Sequence, residues 1–171
     1  MTGIVIRRFD PSRDVTGLKA FLDAKDCPRL DLCARAAAGG DAIVLVAELD
    51  GVVIGLTAAH LKFRDDMGWD AGGGTREWLQ AGDAYLEFLE VRRDLRNRGI
   101  GAGLMQAIEE AVRTRGIHRI RLHTGEGNIG AQRFYERHGW KHLDTVQAPW
   151  QPKGKLSRIY CRNSADANRK M

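Results

Sequence analysis

The chain has 171 residues, 43% hydrophobic and 29% charged, with a formal net charge of +5, which is the composition of a soluble globular protein with one sizeable core. No run approaches the ~20 apolar residues a membrane span needs, and Met-Thr-Gly-Ile-Val-Ile-Arg-Arg at the start reads as a short strand rather than a signal peptide. The expected location is the cytoplasm, with no membrane association.

Taken in order, residues 4–8 read as a strand with Ile4 and Ile6 on one face. Asp10-Pro11-Ser12 makes a turn, and Ser12 or Asp14 is placed to cap a helix running to about residue 24. A weaker helix covers residues 28–38 and stops at Gly39-Gly40. Residues 42–49 and 52–63 are β-rich runs joined by Asp50-Gly51, the signature of a tight hairpin, and Gly55 marks a bulge. Residues 64–83 carry Asp65, Asp66, Asp70, Glu77, Asp83, Trp69, Trp78 and three consecutive glycines. This segment reads either as a solvated loop or as an acidic, aromatic lid suited to a cationic amine.

Tyr-Leu-Glu-Phe-Leu-Glu-Val at 85–91 is a strand by composition. A turn with Arg92, Arg93, Arg96, Arg98 and glycines 99, 101 and 103 follows. Leu104, Ile108, Ala111 and Val112 then recur at helical spacing up to Gly116. Residues 119–124 form a strand, Asn128 caps a helix through His138 closed by Gly139, and residues 140–146 and 156–162 are the last strands. The expectation is one domain over residues 1–162 and a frayed tail over 163–171.

The strand–turn–helix at 85–116 points to phosphate binding. The first N–H groups of a helix lack intrahelical partners and sit at the positive end of its dipole. Glycines at 99, 101 and 103 let an anion approach them, and the arginines add charge. The turn lacks the Gly-Lys-Ser/Thr ending of a nucleotide-triphosphate loop, and its third glycine falls one residue early for a dinucleotide fingerprint.

Arg96-x-x-Gly99-x-Gly101 resembles the coenzyme A signature of the GNAT N-acetyltransferase superfamily. Asn128-x-x-Ala131-x-x-Phe134-Tyr135-x-x-x-Gly139-Trp140 is similar to a second pattern of that superfamily, with tryptophan in place of its usual phenylalanine. The two motifs cover about a third of the chain. The resemblance implies an α/β (α+β) single-domain fold. Its mixed central sheet would have six to seven strands, with helices on both faces and a splay between the two central parallel strands. It also implies acetyl-CoA as co-substrate and an amine acceptor, either a small molecule or a protein amino terminus. The chain would act alone or as a homodimer.

Residue by residue, the resemblance implies that the backbone of Leu89, Glu90 and Val91 pairs with the pantetheine arm and polarises the thioester carbonyl. Arg96, Asn97, Arg98, Gly99, Ile100, Gly101 and Ala102 would hold the pyrophosphate, with Asn128, Ala131 and Tyr135 on the coenzyme's other side. An activated thioester needs a neutral amine, a polarised carbonyl and a proton for the departing thiolate. Tyr135 matches the tyrosine that supplies this proton, and a phenol with an ordinary pKa of ~10 carries one at neutral pH. Its competing role is core packing, the role assigned to Phe134. Glu87 is the first candidate for the base acting through water. Glu90 and a solvent route are the alternatives, and a salt bridge to a nearby arginine would be Glu87's structural use.

Asp65, Asp66 and Asp70 are the candidate acceptor-binding residues. The five histidines do not show metal-ligand spacing, so no metal is expected. Cys27, Cys33 and Cys161 read as reduced structural thiols. The densest basic cluster lies on the glycine turn rather than on a separate face, which argues against nucleic acid. A non-catalytic acyl-CoA-binding module is the alternative function.

Overall fold

The computed structural model describes residues 3–23, 26–61, 82–147 and 153–163. Among these the elements run β1 (Val5–Arg8), α1 (Val15–Lys19), α2 (Cys27–Ala38), β2 (Ala42–Leu49), β3 (Val52–His60), β4 (Ala84–Val91), a 3-10 turn (Arg93–Leu95), α3 (Ile100–Arg113), β5 (Arg119–Gly125), α4 (Ile129–Arg137), β6 (Lys141–Val146) and β7 (Ser157–Asn163). The strands form one mixed sheet in the order β1-β2-β3-β4-β5-β7-β6. The fold is the α/β class expected from the sequence.

The elements fall into two compact units, residues 1–61 with 86–116, and residues 62–85 with 117–171. In the first, β1, β2 and β3 are antiparallel neighbours. Asp50 (φ 51°) and Gly51 (φ 79°) both adopt positive φ, as the tight turn of an Asp-Gly hairpin requires. The register passes from Ala47↔Gly55 to Glu48↔Val53, so Ile54 is the extra residue of a bulge beside Gly55. A Cβ on Gly55 would lie 2.9 Å from Leu104 Cδ1 and 3.1 Å from the Glu90 carbonyl oxygen. The missing side chain lets α3 seat against β3.

Two apolar clusters build this unit. Leu18, Leu22 and Leu30 pack with Val44, Val46, Leu56, Ala58 and Phe88. Leu95, Ile100 and Leu104 of the turn and α3 pack with Ala47 and Ile54. Each of these large aliphatics contributes on the order of 1.5–3 kcal/mol by leaving water.

The first helix is shorter than its apolar spacing predicts. It ends at Lys19, and residues 20–22 continue only as turns. Gly17 inside this short stretch lowers its helical stability. Asp14 does not cap it by side chain. The carboxylate accepts two hydrogen bonds from Arg7 instead, together with the backbone N–H of Asp10. The charge-assisted bonds from Arg7 are the stronger of these contacts and hold the buried carboxylate toward β1.

The second unit holds β5, β7 and β6 as an antiparallel run. Its first β4 residues pair with β5 in parallel, Ala84↔Ile120 and Tyr85↔Arg121. Asp83 is 1% exposed and accepts from both Arg119 and Arg121. Its carboxylate is therefore engaged by two arginines, the buried Arg121 and the partly exposed Arg119. Gly139 (φ 81°) closes α4 as expected. A side chain there would also collide with the Arg162 guanidinium.

Candidate functional site

In the first unit, the end of β4 feeds a turn whose backbone the sequence sets residue by residue. Arg92 is extended, Arg93–Leu95 forms one 3-10 turn, and Arg96 is extended again. Asn97 (φ 61°) and Gly99 (φ 80°) are left-handed, conformations that asparagine and glycine tolerate best. Leu95 and Ile100 are buried on either side and anchor the turn. Arg96, Asn97, Arg98 and Gly99 between them are exposed. Gly99 is the N-cap of α3, and among the described residues nothing lies within 4 Å of the position its Cβ would take. The left-handed cap of α3 therefore borders open space on that side.

The glycines divide their work. Gly99 supplies the left-handed cap and the open approach. A Cβ on Gly103 would sit 3.1 Å from Ile6 Cδ1, so this glycine serves packing against β1 rather than access for an anion. Sequence pattern alone treats the two alike.

The arginines divide as well. Arg96 turns back, its Nε donating to the Val91 carbonyl at 3.0 Å and its Nη2 to Glu90 at 3.4 Å. It braces the turn on the end of β4. Arg92 grips Asp94 with two hydrogen bonds, which hold the exposed Asp94 carboxyl below its ordinary range. Arg93 and Arg98 are exposed and hold no salt bridge among the described residues.

The two β4 glutamates differ in burial. Glu90 is 43% exposed and faces Arg96, although a strand of this composition predicts burial. The Glu87 side chain is 7% exposed, with Oε2 4.0 Å from Nε2 of a 1%-exposed His60. A histidine, ionic only when protonated, is thus a neighbour of Glu87. Strand spacing does not reveal this, because His60 lies 27 residues earlier on β3.

In the second unit, Asn128 caps α4 by accepting from the Ala131 N–H at 3.2 Å, as the motif predicts. Gln132, which sequence reasoning passed over, is 4% exposed and donates to the carbonyls of Gly125 and Glu126. It fixes the loop that precedes the cap. Tyr135 is half-buried, its ring centroid 5.7 Å from those of Trp140 and Tyr160. Its carbonyl accepts from Trp140 N–H. Phe134, expected in the core, is also only half-buried and packs 4.2 Å from the His138 ring. Burial, and then a hydrogen bond to Glu136, push the neighbouring Tyr160 hydroxyl above its ordinary pKa. Tyr85 and His123 form a further pair that the sequence did not suggest, joined through the Tyr85 hydroxyl and His123 Nδ1.

Asp65, Asp66 and Asp70 lie outside the described residues. Among the described residues no group of three or more His, Cys, Asp or Glu side chains is placed to hold a metal ion. None of the described helices is long and apolar enough to cross a membrane.

Comparison with known proteins adds the following. The model of the Acetyltransferase (GNAT) family matches residues 14–140. An uncharacterized N-acetyltransferase of Methanocaldococcus jannaschii is 28% identical over 102 residues, 60% of this chain and 40% of that protein. The uncharacterized protein YxbD of Bacillus subtilis is 38% identical over 55 residues, 32% of this chain and 35% of its own. These matches span about a third to two fifths of the curated relatives' length. Among solved structures, a GNAT-family acetyltransferase from Staphylococcus aureus superposes with TM-score 0.70 at 19% identity, covering 95% of this chain and 99% of that one. The ribosomal-protein-alanine N-acetyltransferase of Brucella melitensis gives 0.70 at 20%, covering 93% and 99%. The PaiA N-acetyltransferase of Thermoplasma acidophilum, solved with coenzyme A, gives 0.66 at 17%, covering 94% and 99%. At these identities the structural likeness shows the fold alone.

Proposed function

Because the chain belongs to the GNAT acetyltransferase family, we propose that it transfers the acetyl group of acetyl-CoA to a primary amine, of a small molecule or of a protein amino terminus. The observation that carries this reading is the α3 opening. Gly99 is left-handed with free space beside it, and Arg93 and Arg98 are exposed and hold no salt bridge among the described residues. These features suit a pyrophosphate, which takes helix-opening amides and adjacent cations together. The coenzyme A present in the PaiA structure supports the same ligand.

In the proposed reaction Arg96, Asn97, Arg98, Gly99, Ile100, Gly101 and Ala102 form the pyrophosphate turn. Backbone groups of Leu89, Glu90 and Val91 orient the pantetheine arm, and Asn128 and Ala131 contribute from the second motif. Glu87 takes a proton from the acceptor ammonium through water, which frees the nitrogen lone pair. The amine nitrogen bonds to the thioester carbon, the carbon–sulfur bond breaks, and Tyr135 gives its proton to the thiolate. The acylated nitrogen gives its second proton to solvent, Glu87 releases the one it took, and the tyrosine recovers one from solvent, so the cycle releases one net proton and needs no redox partner.

The test is coenzyme A release from acetyl-CoA with a panel of polyamines, amino acids, aminoglycosides and short peptides, with products identified by mass spectrometry. Acetylation of one class supports the reading and names the acceptor. Tight acetyl-CoA binding with no product from any amine would favour the non-catalytic binding module.

A further inference from the structure

We propose that His60 is a positioning residue for Glu87, holding its carboxyl group in place and in the ionised form that a base requires. The proposal rests on reading Glu87 as the base. It stands on three side chains from three elements. His60 ends β3, Glu87 lies in β4 and Cys33 lies in α2. His60 Nε2 is 4.0 Å from Glu87 Oε2 and 3.4 Å from Cys33 Sγ.

All three groups are nearly removed from water, at 1%, 7% and 0% exposure for His60, Glu87 and Cys33. A carboxylate in such a place is costly unless a cation or donor faces it. Histidine meets that need and can still change charge near neutral pH. At 4.0 Å the contact is too long for a direct hydrogen bond and short enough for an ion pair or a bridging water.

The tautomer follows from the same geometry. A carboxylate oxygen is a strong acceptor and sulfur a weak one, and both face Nε2. A proton on Nε2 serves both neighbours, whereas a bare nitrogen there would oppose the carboxylate. The Cys33 sulfur thus helps to fix the ring with Nε2 toward Glu87. From β2, the residue opposite His60 is Ala42, which carries no charge, and the carbonyl of the preceding Asp41 is taken by the Leu61 N–H. Glu87 thus faces the Nε2 edge of the imidazole, the edge that Cys33 also approaches.

The experiment is an NMR titration of the full chain, following the Glu87 carboxyl carbon and the His60 ring. The signals are assigned by their loss in Glu87→Gln and His60→Gln. In the wild type each signal should show a second step at the other's midpoint, as interacting sites do. His60→Gln should raise the Glu87 midpoint by about 1–3 units, and Glu87→Gln should lower that of His60. An unchanged Glu87 midpoint in His60→Gln, or single-step curves in the wild type, would overturn the proposal. The wild-type curves and Glu87→Gln decide the matter even if His60→Gln does not fold. The titration uses no acceptor, so failure of the amine panel and failure of the His60–Glu87 coupling are separate results.

Discussion

Tyr135 and Asp14 show how a residue's neighbours select among the roles its chemistry allows. Tyr135 is held by the rings of Trp140 and Tyr160, and it is half-buried rather than enclosed. Tyr135→Phe keeps those ring contacts and removes the hydroxyl that the proposed reaction uses as its acid. It should lower kcat by about 10²-fold or more while acetyl-CoA affinity stays within a few-fold; an unchanged kcat would return the residue to packing. Asp14 was legible in the sequence only as a cap, because its partner Arg7 lies on a separate element. Burial pushes its carboxyl up, but the Arg7 and backbone hydrogen bonds outweigh this and leave it titrating below its ordinary value. A lowered carboxyl stabilises the fold above the unfolded pKa of ~3.9, and that contribution fades as pH falls through the lower folded value. Asp14→Asn should therefore cost about 1–3 kcal/mol at pH 7. Melting curves should show the gap to wild type closing below about pH 4, and a gap constant down to pH 2 would contradict the assignment.

At the scale of elements, the glycines connect packing to the candidate site. Gly55 lets α3 approach β3, and α3 opens at the proposed phosphate turn. Gly55→Val should destabilise the fold by about 1–3 kcal/mol through overpacking on Leu104 and the Glu90 carbonyl. Coenzyme A affinity should fall with it, since the helix start shifts. Gly101→Glu should separate the two effects, abolishing coenzyme A binding in calorimetry while the melting temperature stays near wild type, because the new carboxylate repels the pyrophosphate. Wild-type affinity in that variant would remove the phosphate-turn assignment. Strand–turn–helix order and the Asn128 cap were legible in the sequence because local spacing and capping chemistry encode them. The split between Gly99 and Gly103 was not, since the Ile6 contact comes from a distant strand. For the same reason His60 beside Glu87 and Asp83 beneath Arg119 and Arg121 could not be read from periodicity, which records faces and not partners.

For the whole molecule, the distribution of charge suggests how two oppositely charged ligands are handled. The chain carries 27 lysines and arginines against 22 acids, and the exposed Arg93 and Arg98 flank the α3 opening. Residues 64–80 hold Asp65, Asp66, Asp70 and Glu77 close together in sequence, with Trp69 and Trp78. With Asp83 engaged by Arg119 and Arg121, these remaining acids are the local reversal of sign. Such a reversal would attract a cationic amine without weakening the pull on an anionic coenzyme, provided the two charge sets serve different ligands. The tryptophans would add cation–π faces worth roughly 0.5–2 kcal/mol each. Changing Asp65, Asp66 and Asp70 together to asparagine should raise acceptor KM at low salt, leave acetyl-CoA KM within a few-fold, and matter less at high salt as screening shortens the field. Equal acceptor KM in wild type and variant, or a rise that ignores salt, would reduce the acidic segment to a solvated loop.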